Sequence, residues 1–194
     1  MNTESLAHHR QNLHDAFFED RDQELLDFLE FETLSKEEEE RSALQSKAGI
    51  SDPQVLEVLE RVGITSASIN AFMLLPLVRL AWADSKIQEG EFESLLKAAN
   101  DEGITYGTPA YRLLSRWLEE RPSDKVIEAW QMYARALARE LDETSLLAFQ
   151  QATLGRARRL AETSGGILGL GDKISENERL VLMDLANALT KTES

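Results

Sequence analysis

Apolar residues recur along the chain at three- and four-residue spacing, and no segment alternates in the manner of a half-buried strand. In the first fifty residues, Leu6, Leu13 and Phe17 form a narrow helical stripe, and Leu25, Leu26, Phe28 and Leu29 a broader one. Ser35 followed by Glu38 has the spacing of a capping box and predicts the start of a third, polar helix, with Leu44 and Ala48 as its late apolar contacts. Asp52-Pro53 predicts the next start, because proline at the first helical position gives up no needed hydrogen bond; Val55, Leu56, Val58 and Leu59 follow, and Gly63 ends the run. Thr65 then opens a helix containing AFMLLPLVRLAWA at 71–83, apolar nearly all round and therefore central to the core, with a kink expected at Pro76. Amphipathic helices are expected from Gln88 to about Asp101, from Thr108-Pro109 to before Pro122, and from Ser123 to about Leu141. Two more run from about Thr144 to Glu162 and from Ser175 to about Leu189. Trp82, Trp117 and Trp130 fall on apolar faces and read as core. The expected fold is all-α: residues 1–50 as a helical extension, and residues 51–191 as a globular antiparallel domain of about seven helices.

Within that domain the sequence repeats itself. Residues 86–100, KIQEGEFESLLKAAN, align with residues 173–187, KISENERLVLMDLAN, at an offset of 87. Lys86, Ile87, Glu89, Glu91, Leu95, Ala99 and Asn100 are identical to Lys173, Ile174, Glu176, Glu178, Leu182, Ala186 and Asn187. Each copy is a polar turn, an isoleucine, and a glutamate four residues later that opens an amphipathic helix. Two copies predict two related helical hairpins about a pseudo-twofold axis, with Ile87 and Ile174 inward and the carboxylates at matching corners.

The acids in these copies have two possible uses. Glu91 and Glu178 stand where a carboxylate caps a helix N-terminus, a favourable position for negative charge. Asp84 follows the apolar helix near its C-terminal end, where a carboxylate is electrostatically unfavourable, so a turn hydrogen bond or a cation should compensate it. An EF-hand is excluded: with Ile87 and Glu91 in the eighth and twelfth loop positions, Leu80 and Trp82 fall where ligating acids belong. A cation here would take oxygens from Asp84, Glu91 and a turn carbonyl, joined by Asp172 or Glu178 of the other copy. So few charges suit Ca²⁺ or Mg²⁺ held weakly, in the ~10⁻⁴–10⁻³ M class.

The stretches LAWADSKIQEGEFESLLKAANDEGI and GDKISENERLVLMDLANAL resemble the TerB-like family, named for tellurite-resistance proteins. The family motif is A-D-G-x-I-x-x-x-E at a helix junction, with a more degenerate second copy. Ala83, Asp84, Ile87 and Glu91 match the first copy, with Ser85 in place of the glycine. Ile174 and Glu178 match the second, where Gly171 stands at the aspartate position and Asp172 is displaced by one residue. The resemblance covers roughly residues 67–190. It implies an all-α domain without known catalysis, acidic residues able to bind a divalent cation, and a role in stress-related or membrane-associated protein assemblies.

Composition narrows the alternatives. The 194 residues carry 35 Asp+Glu against 21 Lys+Arg, a formal net charge of -14, and residues 1–50 hold 13 of those acids and 5 of the bases. Such a chain is repelled by phosphate backbones and anionic membranes, so neither is an expected partner. Arg156, Arg158 and Arg159, with Arg135 and Arg139 upstream, read as a solvated face that complements helix C-termini. The absence of cysteine excludes disulfides, thiolate metal sites and cysteine nucleophiles. The start has no cationic stretch followed by an apolar core, and no run approaches the ~18 apolar residues of a membrane span, so a cytoplasmic protein is expected.

Candidate enzymatic motifs fail on particulars. Gly166 to Gly171 has phosphate-loop spacing, but Asp172 occupies the lysine position and the segment follows a helix. His8, His9 and His14 are the only histidines, and none has the spacing of a helical metal site. The expectation is a non-catalytic module that binds a divalent cation weakly through Asp84, Glu91, Asp172 and Glu178 and acts on protein partners as an adaptor. One alternative is a purely structural domain whose acidic N-terminal helices engage a partner or a second copy. The other is a carboxylate-dependent enzyme.

Overall fold

A computed structural model describes residues 28–164 and 174–191, and the chain divides into two units, residues 1–42 and residues 43–194. Among the described residues there are nine helices and no strand, so the all-α expectation holds. The first helix, α1, is continuous over 28–48. The expected start at Ser35 therefore does not occur. Ser35 lies inside the helix, and nearby Thr33 turns its Oγ1 back to the Leu29 carbonyl at 2.8 Å, as a hydroxyl inside a helix does. Within the first unit, Phe28, Leu29, Phe31 and Leu34 are exposed, and Lys36 pairs with Glu32 one turn before it. The stripe Leu6, Leu13 and Phe17 lies outside the described residues.

The second unit begins earlier than composition suggests. Leu44, Ala48 and Ile50 are all buried, and the Tyr133 hydroxyl donates to the Ala48 carbonyl at 3.0 Å. The division thus falls before Ala43 rather than after residue 50, because three apolar side chains outweigh the polar surroundings in which they are set. Helix α2, Pro53–Arg61, starts on the Asp52 carboxylate, which accepts from Gln54 N–H at 3.0 Å. Its buried Val55, Leu56 and Leu59 pack on α7.

The apolar segment differs in detail from expectation. It forms two short helices, α3 (Ile69–Met73) and α4 (Leu75–Ala81), with Leu74 ending one and capping the other. Pro76 has no N–H to give to Phe72, and its ring crowds that carbonyl, so the axis breaks where a kink was expected. The segment 65–68 is a turn, in which Ser68 Oγ accepts from Thr65 N–H at 3.0 Å. Helix α4 is the hub, packing on α3, α5 (Glu89–Asp101), α7 (Asp124–Glu140), α8 (Glu143–Ser164) and α9 (Glu176–Ala188). Helix α6, Pro109–Glu119, packs on α3, and Trp82 at the end of α4 donates its indole N–H to the Trp117 carbonyl at 2.8 Å. Phe72 meets Tyr133 edge to face at 5.8 Å between centroids. Trp117 and Trp130 are buried and Trp82 half-buried, as the helical faces predict. Among the described residues no helix is long and apolar enough to cross a membrane.

Candidate functional site

The two repeats fold alike. Ile87 and Ile174 are both half-buried against the core, and the helices that follow, α5 and α9, begin one residue after Gln88 and Ser175. In the first copy the Glu91 carboxylate reaches back to accept from Gln88 N–H at 2.7 Å; in the second, Glu178 accepts from Ser175 N–H at 2.6 Å. Ser175 completes its box by accepting from Glu178 N–H at 3.1 Å. Both glutamates are thus helix caps, and both are buried, at 3% and 2% exposure. A single cap of this kind is worth about 1 kcal/mol.

Asp84 joins the two copies. Its Oδ1 accepts from Ser175 Oγ at 3.1 Å and from Asn177 Nδ2 at 3.1 Å. The compensation that a carboxylate needs after a helix C-terminus therefore comes from hydroxyl and amide donors at the start of α9. The contact is one-sided. The sequence counterparts of Ser175 and Asn177 are Gln88 and Gly90, and Gly171, the counterpart of Asp84, has no side chain with which to reciprocate.

Glu91 feels the charges of two other acids of the expected set, Glu178 and Asp84. Burial pushes the Glu91 carboxyl up to about 7, opposed by the hydrogen bond from Gln88 N–H and reinforced by the charges of Glu178 and Asp84. Asp172, the fourth residue expected there, lies outside the described residues. Among the described residues no three His, Cys, Asp or Glu side chains are grouped so as to hold a metal ion. The glutamates have backbone donors to satisfy and Asp84 has two side-chain donors, so these acids do not form a ready-made coordination shell.

The turn also fixes the one unusual backbone of the corner. Ser85 has φ 68, the left-handed conformation that glycine tolerates and other residues pay for. It occupies the position where the A-D-G-x-I pattern carries glycine.

Asp84, Glu91 and Glu178 stand out in the sequence as acids of the repeated motif, whereas Ser175 and Asn177 carry no sequence signal as donors to Asp84. Ser175 was legible as a cap, and only the packing of one repeat on the other turns it toward the aspartate. The Arg156 guanidinium forms an ion pair with Glu102 at the end of α5, which the solvated-face reading did not anticipate. Two clefts on this unit are lined by other residues than the acidic corner, one between α5 and α8 and one around Trp117 and Pro122. No protein-family model matches the chain, and neither a curated protein nor a solved structure matches it.

Proposed function

We propose that this chain is a non-catalytic, TerB-like helical module that binds protein partners in an adaptor or stress-response role in the cytoplasm, with a weak divalent-cation response at the acidic corner. The observation that carries this reading is the meeting of the two repeats: Asp84 clasps the start of α9, and the Glu91 carboxyl, raised chiefly by burial, is raised further by the charges of Glu178 and Asp84. A cation near these acids relieves that repulsion. Because the described acids are not grouped as a coordination shell, the cation is held through charge and water, consistent with the weak class of extracellular-type calcium sites, ~10⁻⁴–10⁻³ M. The left-handed Ser85 at the glycine position of the motif supports the family reading.

The test is a calcium and magnesium titration followed by tryptophan emission and melting temperature, on wild type and Asp84→Asn. A saturable rise in melting temperature at millimolar cation, lost in the variant, is the expected result; no response at millimolar calcium rejects the cation.

A second reading rests on a different observation. Phe28, Leu29, Phe31 and Leu34 lie exposed on the first unit, with Phe31 at 69%. On this reading the acids serve as caps alone, and this helix engages a protein partner or a second copy of the chain. Light scattering of wild type and of Phe28→Ser/Phe31→Ser separates self-association, which the double variant abolishes, from a monomer that the variant leaves unchanged.

A further inference from the structure

We propose that the cleft between α5 and α8 binds a small organic oxyanion, a phosphate monoester or carboxylate with a compact apolar body. The cleft has a volume of about 290 Å³, at the small end of ligand sites. Its wall carries Lys97 from α5 and Arg156 and Arg159 from α8, and its floor is Leu77, Ala98 and Leu160. In a chain of net charge -14, three cations against one acid, Asp101, give this cleft a locally positive lining.

The cations are not equivalent. Arg156 is held by Glu102, so its charge is partly met within the protein. Lys97 and Arg159 are exposed, and no ion pair joins either to a described residue. They supply the charge an incoming oxyanion would meet, with Arg159 offering the planar fork that suits a phosphate or carboxylate. Asp101 also lines the cleft, one turn beyond Lys97 on α5, so its charge opposes any bound anion and favours one of low charge.

Comparison of the two repeats shows that this opening is not a general property of the hairpin. Ser94, Lys97 and Asp101 correspond at the 87-residue offset to Val181, Asp184 and Ala188. In α9, Val181 packs on the core, Ala188 is buried, and Asp184 pairs with Arg79 at 2.7 Å. Where α5 presents a serine, a lysine and an aspartate to the cleft, α9 carries a half-buried valine, an exposed aspartate already paired with arginine, and a buried alanine. The apolar floor beside those cations is what distinguishes the site from a solvated basic patch, where no dry surface awaits a ligand body.

The experiment is a titration of the full chain with phenyl phosphate and, in parallel, inorganic phosphate, followed by amide chemical shifts. Phenyl phosphate is expected to saturate with shifts confined to the second half of α5 and to residues 156–160, and to bind more tightly than inorganic phosphate. Arg159→Gln and Lys97→Gln should each weaken it about tenfold, the loss of one charge-assisted contact. Both side chains are exposed, so melting temperatures should stay at the wild-type value; if one variant is destabilised, the other carries the test. Failure to saturate, shifts centred elsewhere, or affinity unchanged in the stable variants overturns the site. Equal affinity for the two probes overturns the role of Leu77, Ala98 and Leu160.

Discussion

Asp84 accepts a hydrogen bond from the Ser175 hydroxyl at 3.1 Å, so the turn after α4 and the N-cap of α9 share one carboxylate oxygen. Asn177 donates to the same oxygen, also at 3.1 Å. The contact ties together two segments that are 91 residues apart, and it does so where the two repeats face each other. Geometry and charge can be separated at this position. Asn retains an acceptor oxygen and loses the charge; Ala loses both. Asp84→Ala is expected to cost about 1 kcal/mol, the net worth of an exposed hydrogen-bonded clasp. Asp84→Asn is expected to stay within about 0.5 kcal/mol of wild type, since it keeps the clasp and removes a charge that opposes ionisation of Glu91. Denaturant unfolding of both variants checks this, and an Asn variant as weak as the Ala variant would show that charge, not hydrogen bonding, holds the corner.

Glu91 carries a pH signature. Its carboxyl sits near 7 in the folded chain against a usual value of 4.5, so between those values the folded state holds a proton that the unfolded state has released. Stability contributed by this group therefore falls as pH rises from about 4.5 to about 7 and then levels, with a ceiling of about 1.4 kcal/mol per pH unit inside the window. Glu91→Gln keeps an acceptor for Gln88 N–H and cannot ionise. It should match wild type near pH 4.5 and exceed it at pH 8, a divergence read directly from urea midpoints at the two pH values. Parallel pH profiles for the two proteins would refute the assignment.

Much of this architecture was written in local patterns. Helices α2 and α5 to α9 begin and end within a few residues of the positions that caps, proline and glycine predict, because those signals act over one turn. The repeat was legible because Ile87 and Ile174 and the two capping glutamates recur at fixed spacing. Two features were not. The break at Leu74 depends on how much a buried helix yields at Pro76, which is decided by what packs around it rather than by the proline alone. Asp84's donors come from the other repeat, and no local signal points across 91 residues. The limit of the N-terminal unit was hidden for a related reason: Leu44 and Ala48 read as late apolar contacts of a polar helix, and only their burial together with Ile50 shows that they belong to the core of the second unit.

Ser85 offers a stabilising substitution. Its φ of 68 costs a side-chain-bearing residue about 1–2 kcal/mol, and glycine removes that cost while adding about 0.5–1 kcal/mol of unfolded-state entropy. Ser85→Gly should therefore raise stability by up to about 1 kcal/mol without disturbing Asp84. A differential melting curve measures it. A lower melting temperature would mean that the serine side chain makes a contribution larger than its backbone strain.

The last turn of α1 provides the sharpest check on where the globular unit begins. Leu44 is fully buried, and Tyr133, at 1% exposure, gives its hydroxyl to the Ala48 carbonyl, with burial holding the phenol well above its usual range. If residues 43–50 are core, Leu44→Ala should cost about 2–5 kcal/mol, the loss of a buried leucine plus the cavity it leaves. Tyr133→Phe should cost about 1–2 kcal/mol by stranding the Ala48 carbonyl. A boundary after residue 50 predicts the opposite, with both changes nearly silent in chemical unfolding. Phe31→Ser, on an exposed residue of the first unit, is the internal control: it should leave the unfolding midpoint within about 0.5 kcal/mol of wild type. A large effect at Leu44 beside a small one at Phe31 locates the boundary between them by energy, independently of geometry.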